Sequence, residues 1–309
     1  MKPYVESVNI SKEKGTPKQP VDVIEINSTG IKEDAHAGNW SRQVSLLSRE
    51  IISEFEVQMR RKIKPGEFAE NITTAGLDLR KVCVLDKIII NNVRLMVTQI
   101  GKECHGNSCA IFREVGKCVM PEEGIFCRVE HGGKVKKGDT IVHEVRPFKI
   151  FVLTVSDRAS KGEYADKSGP EIETRVKDFF KDKRWHIDIN RQIVPDDKSA
   201  IEAELKTAID NFVDVIITTG GTGIGPRDIT PEVIEKFCDK ILHGFMEFIK
   251  IKYAANNPRA LLSRSIAGVH GNTLVYALPG SVKAVNEYMN EILVTLEHAL
   301  LMLHGIDAH

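Results

Sequence analysis

The stretch VDVIITTGGTGIGPRDITPE, residues 213–232, decides how the second half of this chain is read. Its first seven residues are an apolar run without alternation, the pattern of a strand covered on both faces. Glycines then stand at 220, 221, 223 and 225, at the strand end where open α/β sheets bind ligands. A phosphate-binding P-loop requires Lys and Ser or Thr after its last glycine, and Gly225 is followed by Pro226 and Arg227. A dinucleotide fingerprint requires a third glycine three residues after Gly223, where Pro226 stands. What remains is a run of unshielded amides over residues 220–225, the carboxylate of Asp228, and Thr230-Pro231-Glu232. These last three read as an N-cap, a first-turn proline and an acidic first turn. Such a set suits a phosphate-bearing ligand with its magnesium. A turn followed by an ordinary capped helix accounts for the same residues.

Around this loop the chain alternates strand and helix patterns: KIFVLTV, GPEIETRVKDFFKD, HIDINRQIV, KSAIEAELKTAIDNF and VDVIITT. That order implies a parallel α/β sheet. Before residue 146 the rhythm differs. VDVIEI, VCVLDKIIINNVRLMVTQI and DTIVHEV are β-rich runs separated by turn residues, so a mainly β barrel or sandwich is expected. One helix is expected within SLLSREIISEFEVQMRRK. Arg146 and Pro147 mark the change of rhythm, giving expected domains of residues 1–147 and 148–309.

The composition narrows the function classes. Lysine plus arginine and aspartate plus glutamate number 43 each, so no global charge draws the chain to nucleic acid or an anionic membrane. No apolar run reaches the roughly 18 residues of a membrane span, and MKPYVESVNI lacks the apolar core of a signal peptide. A cytoplasmic protein acting on small molecules is the expectation. Six cysteines in 309 residues are too few for a disulfide scaffold.

The motifs VSDRASKGEYADKSGP, IVPDDK, TTGGTGIGPRDITPE and ALLSRSIAGVHGNTLVYALPGSVKAV resemble, in order, those of the molybdopterin adenylyltransferase family. The resemblance covers nearly the whole second half. It implies a three-layer α/β domain with a mostly parallel sheet, often trimeric, that joins the AMP of Mg-ATP to the terminal phosphate of molybdopterin and releases pyrophosphate. The family's two essential acidic positions fall on Asp196 and Asp228. Asp228 is the expected metal-linked carboxylate, and Asp196 orients the metal or the acceptor phosphate. Ser156, Asp157, Thr219, Gly220, Gly221, Thr222, Gly223 and Ser281 are the expected molybdopterin and ATP contacts. Ser281 also reads as an N-cap and Asp157 as a strand-end turn residue. A non-catalytic carrier of molybdopterin or of the molybdenum cofactor is the rival reading.

In the first half, Cys104, His105, Cys109, Cys118 and Cys127 invite a metal reading, but their spacing departs from that of paired zinc ligands, so no structural zinc is expected. Cys83, Cys118, Cys127 and Cys238 read as buried thiols. GIKEDAHAGNWSRQVSLLS, GEFAENITTAGLDL, TQIGKECH and GIFCRVEHGGKVKKGDTI resemble a MOSC domain, named for the C-terminal domain of molybdenum cofactor sulfurase. The resemblance implies a barrel-like β fold that binds molybdenum cofactor or carries sulfur on one cysteine, here Cys104. Lys102 and His105 lie close enough in sequence to favour its thiolate. Arg42 is an expected phosphate clamp or a structural ion-pair partner. Asp34 and His36 are expected beside that site or as loop hydrogen-bonding residues. The chain has no room for a pyridoxal-phosphate desulfurase part, so a sulfur-donating desulfurase and recipient molybdoenzymes are the implied partners.

Overall fold

A computed structural model describes residues 2–102 and 119–306. The chain forms two compact units, Met1–Arg146 and Pro147–His309. No helix among the described residues is long and apolar enough to cross a membrane.

The first unit is β-rich. Its strands are β1 (Tyr4–Ile10), β2 (Gln19–Val21), β3 (Val23–Asn27), β4 (Gly30–Ile31), β5 (Val44–Ser48), β6 (Ile72–Ala75), β7 (Lys87–Ile90), β8 (Val93–Ile100), β9 (Ile125–His131), β10 (Gly133–Lys136) and β11 (Ile141–Glu144). Eight form one sheet in the order β11-β7-β8-β9-β5-β6-β1-β2, and β10-β3-β4 form a second. One apolar core, with Val5, Val8, Ile24, Ile26, Leu46 and Val97 among its members, joins the inner faces of both. The expected helix is shorter than its periodicity suggests. Residues 45–48 belong to β5, paired with β6 and β9, and α1 (Arg49–Met59) begins only where Ser48 accepts the Ile51 N–H at 3.2 Å. The leucines of SLLS suit either element, and pairing on both sides selected the strand.

The second unit is a three-layer α/β sandwich. Its six-stranded sheet runs β13 (Ile187–Val194), β12 (Phe148–Val155), β14 (Val215–Thr219), β17 (Thr273–Leu278), β16 (Ile266–His270) and β15 (Lys240–Ile241). The first four are parallel, and β16 pairs antiparallel with both its neighbours, β17 and β15. Alternation along β12 divides the core: Ile150 and Val152 pack on α2 (Ser168–Phe180), α5 (His243–Ala254) and α6 (Val282–Leu303). Phe151, Leu153 and Val155 pack on α3 (Lys198–Asp210) and α4 (Thr230–Phe237). Both faces are therefore covered, which explains the unbroken apolar run of β14.

Candidate functional site

Four adjacent parallel strands end at the same edge of the second unit's sheet, and their ends deliver the residues of the site. After β12 come Ser156 and Asp157, after β13 Asp196, after β14 residues 220–223, and after β17 Pro279, Gly280 and Ser281. They line a cavity of about 850 Å³, large enough for a nucleotide and a second small molecule. All eight expected molybdopterin and ATP contacts line it, as do Asp196 and Asp228.

The acidic residues are held by backbone donors. The Asp157 N–H donates to Asp196 Oδ2 at 2.9 Å and the Asp196 N–H to Asp157 Oδ1 at 3.0 Å, a reciprocal pair that locks two strand ends together. Asp228 Oδ2 accepts the Gly225 N–H at 2.8 Å. Burial, and then the negative charge of Asp228, push the Asp196 carboxyl above the usual aspartate range. A carboxyl whose ionisation is disfavoured by burial and by a neighbouring carboxylate forms with it a site that a divalent cation relieves, so Asp196 and Asp228 fit magnesium. Arg227 pairs with Asp157 and reaches Asp196 at 3.7 Å.

The glycines are there for contact as well as conformation. Gly221 has φ 61°, and a Cβ on it would stand 2.4 Å from Thr230 Oγ1 and 3.3 Å from Asp196 Oδ1. Thr230 is not the expected N-cap. It is the first residue of α4, Ile229 precedes it without a capping side chain, and the Thr230 hydroxyl is buried under Gly221. Tertiary contact with the glycine loop took the hydroxyl away from the helix end. Ser281 does cap α6, accepting the Ala284 N–H at 3.2 Å, while also lining the cavity. Ser156 caps the helical turn Asp157–Ser160 through the Ala159 N–H at 3.3 Å. Thr219 donates to Pro279 O at 3.0 Å and so ties β14 to the segment after β17.

Sequence reasoning missed the cationic and aromatic wall of Arg158, Lys161, Tyr164, Arg227 and Arg259. Arg158 sits 5.1 Å from the Tyr164 ring centre. The signal available was the density of basic residues in SDRASKGEY and GPRD. Its direction depended on the fold.

In the first unit, Asp34 is buried and accepts from the Ser11 N–H (3.1 Å), the His36 N–H (3.0 Å), Asn71 Nδ2 (3.1 Å) and Lys18 Nζ (2.5 Å). Burial alone would raise its carboxyl; hydrogen bonds from His36 and Lys18 outweigh it and hold Asp34 well below the usual range. Burial lowers the Lys18 ammonium, with Asp34 pulling against it. Lys18 and Asn71 carried no signal in sequence, because only the fold brings them to Asp34. His36 stacks on Trp40, whose cationic neighbours are Arg42 at 5.0 Å and Lys14 at 5.7 Å. Arg42 makes no ion pair among the described residues. Cys83 and Cys127 are buried and Cys238 is half-buried. Burial raises the Cys127 thiol far above its usual range, and burial with the Asp239 charge pushes Cys238 up to about 11. Cys104, His105, Cys109 and Cys118 lie outside the described residues.

The buried Lys18–Asp34 pair makes a stability prediction. Asp34→Ala leaves an uncompensated buried ammonium and should destabilise the first unit by about 3 kcal/mol at neutral pH. Because the folded pKa of Asp34 is depressed, its contribution is present above the ordinary carboxylate pKa and is lost as pH falls below about 4. Urea unfolding of parent and variant from neutral to acid pH checks this. A neutral-pH difference under about 1 kcal/mol, or one that does not shrink with acid, would remove the pair's assigned role.

Residues 151–298 match the family described as a probable molybdopterin binding domain, and residues 33–142 match the MOSC domain. A molybdopterin adenylyltransferase of Helicobacter pylori is 36% identical over 157 residues, which is 50% of this chain and 88% of that protein. A molybdopterin adenylyltransferase of Pyrococcus furiosus is 39% identical over 163 residues, 50% of this chain and 92% of that protein. Among solved structures, the tungsten cofactor synthesizing protein MoaB from Pyrococcus furiosus is 37% identical, covers 51% of this chain and 98% of itself, and aligns with a TM-score of 0.45. The chain thus belongs, through its second unit, to the molybdopterin adenylyltransferase family of molybdenum cofactor biosynthesis, and carries a MOSC domain ahead of it.

Proposed function

We propose that the second unit transfers AMP from Mg-ATP to the terminal phosphate of molybdopterin. The bond that forms joins a molybdopterin phosphate oxygen to the α-phosphorus of ATP. The bond that breaks is the one between that phosphorus and the bridging oxygen, and pyrophosphate leaves with the electron pair. Two polyanions must meet, so catalysis is chiefly positioning and charge compensation. The observation that carries this reading is one cavity holding the backbone of Gly221 and Gly223, the acidic pair Asp196 and Asp228, and basic side chains from two loops; the Gly220 N–H, expected among the anion donors, donates instead to Leu278 O at 3.0 Å. The Gly221 and Gly223 amides would hold phosphate oxygens, Asp196 and Asp228 would hold the magnesium, and Arg227, Arg158 and Lys161 would offset the remaining charge. Magnesium, when bound, neutralises the triphosphate and the departing pyrophosphate.

The first unit, on a barrel-like β frame, binds molybdenum cofactor through Arg42 and His36 or carries sulfur on Cys104. In the second role a desulfurase supplies the sulfur, and molybdoenzymes receive the product in either. The family resemblance also implies a homotrimer. Exposed Phe248 and Ile251 of α5 supply an apolar surface for it.

The test mixes the full chain with molybdopterin, ATP and magnesium and follows adenylylated pterin and pyrophosphate. Equal yields of both are expected, and omission of magnesium should abolish them. Pterin binding without either product would replace the enzyme with a carrier. For the first unit, mass spectrometry after exposure to a desulfurase and free cysteine should find an added sulfur at Cys104 if it is the carrier. Its absence leaves cofactor binding through Arg42.

A further inference from the structure

The glycine loop has a brace that stands outside the cavity. Arg264 lies between a short 3-10 turn, Pro258–Leu262, and β16, and it is not among the residues that line the 850 Å³ cavity. Its own N–H donates to Thr222 O at 2.9 Å. Its guanidinium donates from Nε to Gly223 O at 2.7 Å, from Nη2 to Asp228 O at 2.5 Å, and from Nη1 to the Glu232 carboxylate. One residue therefore holds both ends of the turn that runs from the glycines to Asp228, and the first turn of α4 beyond it.

Peptide geometry gives this brace a consequence for binding. In a trans peptide the C=O and the N–H of the same unit point in opposite directions. Pinning the carbonyls of Thr222 and Gly223 onto Arg264 turns the N–H groups of Gly223 and Ile224 away from it. Neither N–H has a backbone partner among the described residues, and Gly223 lines the cavity while Arg264 does not. The third carbonyl held is that of Asp228 itself, the proposed metal ligand.

We propose that Arg264 is the positioning residue of the anion cradle: from behind the loop it holds the Gly223 and Asp228 carbonyls, keeping the Gly223 amide turned towards a phosphate group and setting the backbone of Asp228. The inference rests on the proposed adenylyl transfer for its chemistry, whereas the bracing itself is a property of the loop. The guanidinium is suited to this because its planar fork satisfies three acceptors in fixed directions. A lysine ammonium has the charge but not that geometry.

The test uses the full chain with Arg264→Ala and Arg264→Lys and two readouts. Turnover of ATP and molybdopterin should fall about 10²-fold in Arg264→Ala, the order of loss that a 1 Å misplacement causes. Millimolar guanidinium should restore part of it, and Arg264→Lys should remain impaired. Independently of activity, hydrogen exchange should quicken at the amides of Gly225, Asp228 and Thr230, which are bonded within the loop at 2.8, 3.1 and 3.2 Å. A rise of about tenfold over the parent is expected, with exchange in β12 and β14 unchanged. If Arg264→Ala does not fold, Arg264→Lys carries both readouts. Parental exchange at those three amides overturns the inference, even where turnover is lost, because the arginine would then act other than by bracing. An inactive parent overturns the proposed adenylyl transfer, and hydrogen exchange still decides whether Arg264 holds the loop.

Discussion

Replacing Asp228 by Asn should lower adenylyl transfer by about 10²- to 10³-fold in the full chain, several kcal/mol of transition-state stabilisation, while leaving the fold intact. The amide is isosteric and still offers an oxygen to the Gly225 N–H, so the 2.8 Å bond that shapes the loop is retained. What disappears is the negative charge that fits Asp228 for a divalent cation. The same charge is, after burial, the second cause of the raised Asp196 carboxyl. Asp228→Asn should therefore also move the Asp196 titration down towards the ordinary aspartate range, a shift that NMR of the side-chain carboxyl can follow. Steady-state pyrophosphate release measures the first effect. Parental turnover by the variant would remove Asp228 from the metal site, and an unmoved Asp196 would show that the two carboxylates do not sense one another.

The second large effect is on stability. Gly220→Ala should destabilise the second unit by about 4 kcal/mol, combining backbone strain with an overlap that cannot relax. Gly220 has φ 102°, in the region that favours glycine, and a Cβ there would stand 2.2 Å from the carbonyl oxygen of Val155. That oxygen belongs to the end of β12, an interior strand paired on both sides, so neither partner can move without unpairing the sheet. Gly223→Ala is the informative contrast. Its Cβ would meet Asp228 Oδ2 at 2.6 Å, the tip of a side chain that can swing aside. It should leave stability nearly unchanged and reduce turnover. Chemical denaturation of both variants, read alongside pyrophosphate release, separates the two cases. A Gly220→Ala protein as stable as the parent would contradict the close approach described.

Much of the second unit is legible in its sequence. The runs at 149–155, 186–194 and 213–219 became β12, β13 and β14 within a residue or two of their expected bounds. Ser281 opens α6, and the expected acidic and glycine positions all meet at one cavity. These features are local: a period of two or 3.6, a cap, or a turn residue acts on neighbours in the chain. The parallel order of β12, β13 and β14 also follows, because a helix separates each of these strands from the next.

Other features required the tertiary structure because they join residues far apart in sequence. The leucines of SLLS became a strand through pairing with residues 72–74 and 125–127. Lys18 was paired with Asp34 only when burial and the surrounding donors made that carboxylate the place for a charge. Thr230 satisfied the pattern of a cap, yet packing beneath Gly221 gave its hydroxyl another place. Arg264 carried no readable role, since the partners of its guanidinium are 32 to 41 residues away and two of them are backbone carbonyls, which no side-chain pattern encodes. By itself, the sequence determined where strands and helices form and which residue types could do phosphate chemistry. Only the folded sheet decided which strand ends meet, and therefore which carboxylates, amides and cations share one cavity, because strand order is set by long-range pairing and core packing.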